Sequence, residues 1–309
     1  MKIVFYGSPE TAVTSLDALR EGGHSIELVI TQPDRPSGRG RRPTPSAVKR
    51  YALENGLDLY QPRRIRKDPQ AAERLAALSP DLAVVVAYGQ IIPDSLIRIP
   101  RCKTINLHFS MLPKYRGASP VQWAILEGEE TTGISIFVLN SRMDEGDILC
   151  RREFSIHPGE TSSELEKRLS QLGADLLVET IACIDSIQPM PQDHSLATLA
   201  PLIKKEQGRI DWTHDAHVIE RRIRAFTPWP STYSFLYGKR IKILKACVSD
   251  EQADAAPGEI ISISEEGLAI GCGEKSVLLV EILQPENKKA MPAHAYSLGS
   301  GIKPGDRFS

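Results

Sequence analysis

No long apolar run, no excess of one charge and no glycine-rich nucleotide fingerprint marks this 309-residue sequence. Its apolar stretches fall short of the roughly 18 residues that a membrane-spanning helix requires. Thirty-eight Lys and Arg against 39 Asp and Glu leave a formal charge of −1. The field of the whole chain therefore attracts no polyanion, and a nucleic acid would have to be met by a local basic patch. Cysteine is scarce: Cys102, Cys150, Cys183, Cys247 and Cys272 are odd in number and form no C-x-x-C. That pattern argues against a disulfide framework and a structural zinc, and for a reducing compartment. The first turn, "GSPETAV", has one Gly where G-x-G-x-x-G has three, which disfavours a dinucleotide site and with it a nicotinamide-dependent oxidoreductase. G-x-x-x-x-G-K-[ST], G-x-S-x-G and H-E-x-x-H are also missing, and with them three further chemistries. "MKIVFYGSPE" enters an apolar strand at once, the pattern of a chain without a leader, so a cytoplasmic location is expected.

What is present is ordered. "KIVFY" (2–6) reads as a buried strand closed by Gly7 and Pro9, and residues 10–20 carry apolar side chains at helical spacing. "SIELVIT" (25–31), "DLAVVVAYG" (81–89), "TINLH" (104–108) and "GISIFVL" (133–139) read as further strands, with "SAVKRYALENG" (46–56) as a helix between them. Strands alternating with helices predict an α/β, Rossmann-like, doubly wound parallel sheet. Thr161 and Glu164 stand at capping-box spacing before one long amphipathic helix. "QPMPQDHS" (188–195) is polar and contains Pro, which suggests a linker. Beyond it, "STYSFLYG", "KRIKILKACV", "GEIISIS", "GLAIGCG" and "SVLLVEILQP" are short strands punctuated by Gly, the texture of a small OB-like β-barrel. The expected division is 1–188, a linker at 189–205, and 206–309.

Three stretches could carry chemistry. In "NLHFSMLPKYRG" (106–117), Asn106 and His108 sit two apart at the end of a strand, so they share a face where open α/β sheets bind ligands. Both can donate to one oxygen, and an oxygen gaining charge in a tetrahedral intermediate needs such fixed donors, each worth about 2.7–4 kcal/mol. The same spacing also suits two polar residues capping a strand. In "NSRMDEGDIL" (140–149), Asp144 falls beyond the next strand end, with Gly146 loosening the loop. Its carboxylate could orient His108 and accept its proton, although an Asp-rich turn reads the same way. Asp147, abutting a strand, reads as a turn residue. In "TQPDRPSGRGRRPTPS" (31–46), the arginines lie in a loop that Pro and Gly keep irregular. It suits a polyanion such as RNA or is a solvated loop. Ser110 lacks a second nearby His to serve as base, which weakens a serine-hydrolase reading.

Together these residues resemble the methionyl-tRNA formyltransferase family over nearly the whole chain. The resemblance runs through "GSPE", "TQPDRPSGRG", "VVVAYGQIIP" (84–93), "INLHFSMLPKYRGASPVQWAI" and "MDEGDIL". In the second half it includes "KKEQGRIDW", "IRAFTPWP", "LQPENKKAM" and "KPGDRF". The Asn–His–Asp set alone marks the wider group of folate-dependent formyltransferases; the basic loop and the later segments are more specific. The resemblance implies transfer of a formyl group from 10-formyltetrahydrofolate to the α-amine of methionyl initiator tRNA, without a metal, by a monomer. It implies a catalytic set of Asn106, His108 and Asp144. It places folate along Ser110, Met111, Leu112 and Pro113, with Gly89, Gln90, Ile91 and Ile92 lining the pterin largely through backbone groups. It assigns tRNA contact to Arg39, Arg41, Arg42 and Lys205 and to the barrel, where Lys239, Arg240, Lys242 and Lys245 form a candidate cluster. Ile223, Phe226 and Trp229 of "IRAFTPWP" read as core or interdomain packing rather than base-stacking residues, with Arg221, Arg222 and Arg224 as the candidates to face RNA. Met111, Thr11, Leu199, Leu202 and Ser231 depart from the residues usual at their positions. A small-amine formyltransferase would share the catalytic set without needing the basic loop or the barrel. An RNA-binding module with a degenerate enzyme domain would not need the set intact.

Overall fold

The computed structural model describes residues 1–37 and 42–309 and divides the chain into two compact units. The first comprises Met1–Pro120, Thr131–Ser155 and Glu166–Pro201; the second comprises Val121–Glu130, Ile156–Leu165 and Leu202–Ser309.

A seven-stranded sheet organises the first unit. Its strands are β1 (Lys2–Gly7), β2 (Ser25–Ile30), β3 (Leu59–Tyr60), β4 (Leu82–Val86), β5 (Lys103–His108), β6 (Thr131–Val138) and β7 (Ile148–Ser155). They lie in the order β7-β6-β5-β4-β1-β2-β3. Five strands run parallel, and all of β4 and nearly all of β1 is buried. Apolar runs of this kind are what a sheet covered on both faces requires. Each Val or Ile so buried contributes about 1.5–3 kcal/mol.

The 133–139 run joins this sheet as expected, but β6 pairs antiparallel to β5 and β7 antiparallel to β6. Short periodic runs reveal a strand without revealing its direction. The 81–89 run also stops early, because β4 ends at Val86 and Ala87 adopts a φ of 46°. The described parts of the 31–46 segment are less irregular than its Pro content suggests. Arg35–Ser37 pairs antiparallel with Arg42–Thr44, Pro36 opposite Pro43, as an isolated two-stranded ribbon with open edges tolerates.

In the second unit, the capping box at Thr161 forms as expected, with the Glu164 carboxylate accepting from the Thr161 backbone N–H at 2.9 Å. An antiparallel sheet there contains β8 (Thr232–Leu236), β9 (Lys239–Gln252), β10 (Ile260–Ile263), β11 (Leu268–Gly271) and β12 (Ser276–Pro285). Three register shifts interrupt the pairing of β9 with β12, and such bulges bend a long strand. The edges β8 and β10 do not pair directly; residues 306–309 bridge them. Phe235 and Ser309 exchange backbone hydrogen bonds at 3.1 and 2.9 Å, and the Ile260 N–H donates to the Asp306 carbonyl at 2.8 Å. This closure gives the barrel-like form expected from the strand spacing. Its core includes Ile219 and Ile223 from the helix Ala216–Ala225, with Trp212 tilted against Phe308.

Candidate active site

The last three residues of β5 include Asn106 and His108, the two strand-end residues of the candidate site. Asn106 stands opposite Phe137 and His108 opposite Ser135 across the β5–β6 pair. Residues two apart on a strand share a face, so both side chains lie on one side of the sheet, as their spacing predicts. Asn106 is half-buried, and no described group bonds its carboxamide. His108 is only 7 % exposed. Its Nε2 lies 2.9 Å from the Tyr115 carbonyl. A carbonyl only accepts, so Nε2 carries the proton there and Nδ1 is the nitrogen left to act. Nδ1 faces the Asp144 Oδ2 at 3.8 Å, ion-pair rather than hydrogen-bond separation.

Asp144 is held rigidly. Its Oδ2 accepts from the Gly117 backbone N–H at 2.8 Å. Its backbone sits in the left-handed region at φ 54°, which Asp tolerates better than most residues but which still costs about 1–2 kcal/mol. The Gln192 amide offsets that cost, donating to the carbonyls of Asp144 at 2.9 Å and Gly146 at 2.7 Å. Gly146 does not loosen this loop, as the sequence suggested. A Cβ there would lie 1.7 Å from the Val138 carbonyl oxygen, so Gly146 is needed for close packing. Asp147 is exposed, and its backbone carbonyl accepts from the Val138 N–H at 2.8 Å. Asp144, not Asp147, is the carboxylate beside the imidazole.

The 110–113 segment runs next to this set, with two side chains turned inward. Ser110 is fully buried and donates to the Lys114 carbonyl at 2.6 Å, and Leu112 belongs to a small core with Phe137 and Ile148. Ser135, opposite His108, bridges the segment, donating to the Ser110 carbonyl at 2.7 Å and accepting from the Leu112 N–H at 3.0 Å. Arg151 donates to the Leu112 carbonyl at 2.8 Å. Sequence reasoning missed Ser135 and Arg151, and the available signal was a lone hydroxyl inside the apolar run "GISIFVL".

Residues 89–92 leave the end of β4 beside β5. The Gln90 side chain is engaged locally, accepting from the Ile65 N–H at 2.9 Å and donating to the Pro62 carbonyl at 3.2 Å. Ile92 is buried in the core, while Ile91 is 69 % exposed. Among the described residues, nothing accepts from the backbone N–H groups of Gly89, Gln90, Ile91 or Ile92. Backbone donors left open at a strand end are what a planar, polar-edged ligand can use.

The basic residues are placed unevenly. Arg39 and Arg41 lie outside the described residues, and Arg42 opens a short strand opposite Ser37. Lys205 is exposed and belongs to the second unit. Ile223 and Phe226 are buried as expected, but Trp229 is 56 % exposed and is not a packing residue within its unit. Two of the three arginines before it are engaged within their own unit. Arg222 donates to the Gln207 carbonyl at 2.6 Å and lies over the Phe226 ring. Arg224 pairs with Glu220 at 2.5 Å and donates to the Glu160 carbonyl. Among the described residues, no group of three or more His, Cys, Asp or Glu could hold a metal, and no helix is long and apolar enough to cross a membrane.

The formyl transferase family matches residues 1–181, and its C-terminal domain matches 202–301. The methionyl-tRNA formyltransferase of Geobacter sulfurreducens is 41 % identical over 310 residues, spanning 100 % of this chain and 96 % of that one. That of Clostridium novyi is 43 % identical over 305 residues, covering 98 % of each. Among solved structures, a sugar 3N-formyl transferase, WlaRD, in the presence of dTDP and 5-N-formyl-THF superposes with a TM-score of 0.69 at 20 % identity. It covers 94 % of this chain and 99 % of its own. The methionyl-tRNA formyltransferase of Clostridium thermocellum superposes at 0.59 with 18 % identity, covering 82 % and 95 % respectively.

Proposed function

We propose, from the premise that this chain belongs to the methionyl-tRNA formyltransferase family, that it formylates the α-amine of methionyl initiator tRNA, with Asn106, His108 and Asp144 as its catalytic set. The observation that carries this reading is the convergence of an unengaged carboxamide, an imidazole with one free nitrogen and a fixed carboxylate at one strand end.

10-Formyltetrahydrofolate, as co-substrate, supplies the formyl carbon. The open backbone N–H groups at 89–92 would serve the polar edge of its pterin, and Met111 and Pro113 of the neighbouring segment would contact the folate. Ser110 and Leu112 take part through the backbone path that their buried side chains fix. The attacking amine must be neutral, and free α-amines titrate near ~7.7–8.0, so positioning and charge stabilisation matter more here than a strong base. Asn106 donates to the oxygen of the reacting carbonyl as it gains charge. His108 Nδ1 donates to that oxygen when protonated and accepts the amine's proton when not, and the Asp144 carboxylate supports both states. As the new C–N bond forms and the old one breaks, the proton passes from the attacking to the leaving nitrogen.

Residues 1–188 would form the catalytic domain and 206–309 a tRNA-contacting domain, in a cytoplasmic monomer; of the 189–205 stretch expected between them, the part up to Pro201 belongs to the first compact unit. Arg39, Arg41, Arg42 and Lys205 meet the tRNA backbone. Replacing Arg39 and Arg42 by Ala is expected to raise KM for tRNA, leave kcat at saturating tRNA unchanged, and flatten the dependence of log affinity on log salt by about 1 per arginine. Identical salt slopes in variant and parent would dismiss the loop's role. The function itself is tested by supplying 10-formyltetrahydrofolate with charged initiator tRNA, a nucleotide-linked amino sugar or no acceptor. Formyl-methionyl-tRNA is the expected product; a formylated sugar with unreacted tRNA would make this a small-amine enzyme.

A further inference from the structure

We infer that residues 190–200 form a positioning strap for the catalytic set, with Gln192 and Thr198 as its two working side chains. The inference rests on the formyl-transfer reading for its kinetic consequence. Composition marked this stretch as a linker, yet within the first unit it touches the support of both titratable groups.

Thr198 acts on the histidine side. Its Oγ1 accepts from the Tyr115 N–H at 2.9 Å, and its carbonyl accepts from the Arg116 N–H at 2.9 Å. Tyr115 is the residue whose carbonyl holds His108 Nε2, and it has a left-handed φ of 61°. A hydroxyl therefore fixes a strained residue that in turn fixes the ring. The strap continues as Leu199–Ala200, pairing in parallel with Arg116–Gly117. Gly117 is the N–H donor to Asp144, at φ 127°, and a Cβ on it would lie 2.6 Å from the Ala200 carbonyl oxygen. No L side chain fits that conformation and that gap.

Gln192 acts on the carboxylate side. It is 6 % exposed, and both ends of its amide are engaged. The nitrogen donates to the Asp144 and Gly146 carbonyls, and the oxygen accepts from Arg116 Nη2 at 2.7 Å and Nε at 3.2 Å. Arg116 is 5 % exposed, reaches His194 Nδ1 at 3.0 Å and faces Glu145 at 3.7 Å. A guanidinium buried this deeply is tolerated only where acceptors surround it. Here those acceptors bind the strap to the loop that carries Asp144. The Asp144 and Tyr115 loops thus share one external brace, and the 3.8 Å separation of His108 from Asp144 depends on it.

The experiment uses the full chain with Gln192→Leu, Thr198→Val and Thr198→Ser. Gln192→Leu removes the amide while keeping most of the volume; Thr198→Val removes the hydroxyl at constant shape; Thr198→Ser restores it. In single-turnover formyl transfer, Gln192→Leu and Thr198→Val are expected to slow the chemical step by about 100-fold, the scale of an ångström-sized misplacement. KM for both substrates should stay within about twofold, and Thr198→Ser should recover most of the rate. Nitrogen-15 NMR of the His108 ring, assigned by its loss in a His108→Gln chain, is read on the same samples and needs no turnover. The Nε2–H signal of the parent should be displaced in Thr198→Val and return in Thr198→Ser. Parent-like rates and parent-like His108 signals in both Gln192→Leu and Thr198→Val would overturn the strap. So would rates lost in Thr198→Val that Thr198→Ser does not recover. If the parent itself transfers no formyl group while the ring signals shift as described, the strap stands and the formyl-transfer reading fails.

Discussion

Replacing His108 by Ala is expected to slow formyl transfer at least about 1,000-fold, roughly 4 kcal/mol of barrier, while changing the affinity for methionyl-tRNA by less than about twofold. The split follows from where the ring sits. His108 is 7 % exposed and ends β5, with one nitrogen held by the Tyr115 carbonyl and the other facing Asp144. It has little surface with which to bind a large RNA. Its Nδ1 is available to a reacting group a few ångströms away, where a donor to a developing oxyanion or an acceptor for the amine's proton acts only in the transition state. Losing such a group lowers kcat and leaves ground-state binding alone. The Tyr115 carbonyl also loses its donor, at a cost of about 1–3 kcal/mol to stability, so melting temperature should be followed in parallel. A His108→Ala chain that turns over normally, or one that loses tRNA affinity in proportion to rate, would contradict the assignment.

Asp144→Asn is the second large effect. The substitution keeps the shape, and an amide oxygen can still accept from the Gly117 N–H that the carboxylate now holds at 2.8 Å. What disappears is the negative charge facing His108 Nδ1 across 3.8 Å. An amide turned the other way presents N–H groups to the imidazole and disturbs its proton arrangement. A rate loss of about 100- to 10,000-fold is expected, with stability nearly unchanged, by analogy with the carboxylate of a catalytic triad. Asp147→Asn is the matched control. Asp147 is exposed and contributes a backbone carbonyl, so that chain should retain activity within about twofold. Equal losses in the two variants would show that a general change in loop charge, rather than the Asp144 contact, is responsible.

These predictions concern residues that the sequence singled out for a simple reason. A strand has a period of two, so Asn106 and His108 could be placed on one face without any three-dimensional information. Asp144 was reachable because it follows the next apolar run. The direction of that run was not, since periodicity is the same for parallel and antiparallel pairing. The supporting residues were harder to see. Ser135 holds the 110–112 backbone from the neighbouring strand, and Thr198 and Gln192 act on Tyr115 and Asp144 from 83 and 48 residues away in the chain. No local pattern encodes a hydrogen bond of that sequence separation. Polar, Pro-containing composition made 188–195 look like a linker, because composition reports what a segment could bury and not which backbone carbonyls it must satisfy. Gly146 misled for the opposite reason. It looked like a source of flexibility, whereas the nearby Val138 carbonyl shows it to be a point of closest approach. The arginines of "IRAFTPWP" resembled an RNA-facing cluster, yet Arg222 and Arg224 satisfy carbonyls within their own unit.

Whether the imidazole and the carboxylate act on the same carbonyl as one device is tested most directly by a double-mutant cycle. Single-turnover formyl transfer would be measured for the parent, His108→Ala, Asp144→Ala and the chain carrying both substitutions, at saturating 10-formyltetrahydrofolate and methionyl-tRNA. If the two groups work as a unit, the doubly substituted chain should be about as slow as the slower single variant, because removing one partner already disables the other. Losses that multiply, giving a double variant slower by the product of the two single factors, would show that His108 and Asp144 act independently and would contradict a shared reaction centre at the end of β5.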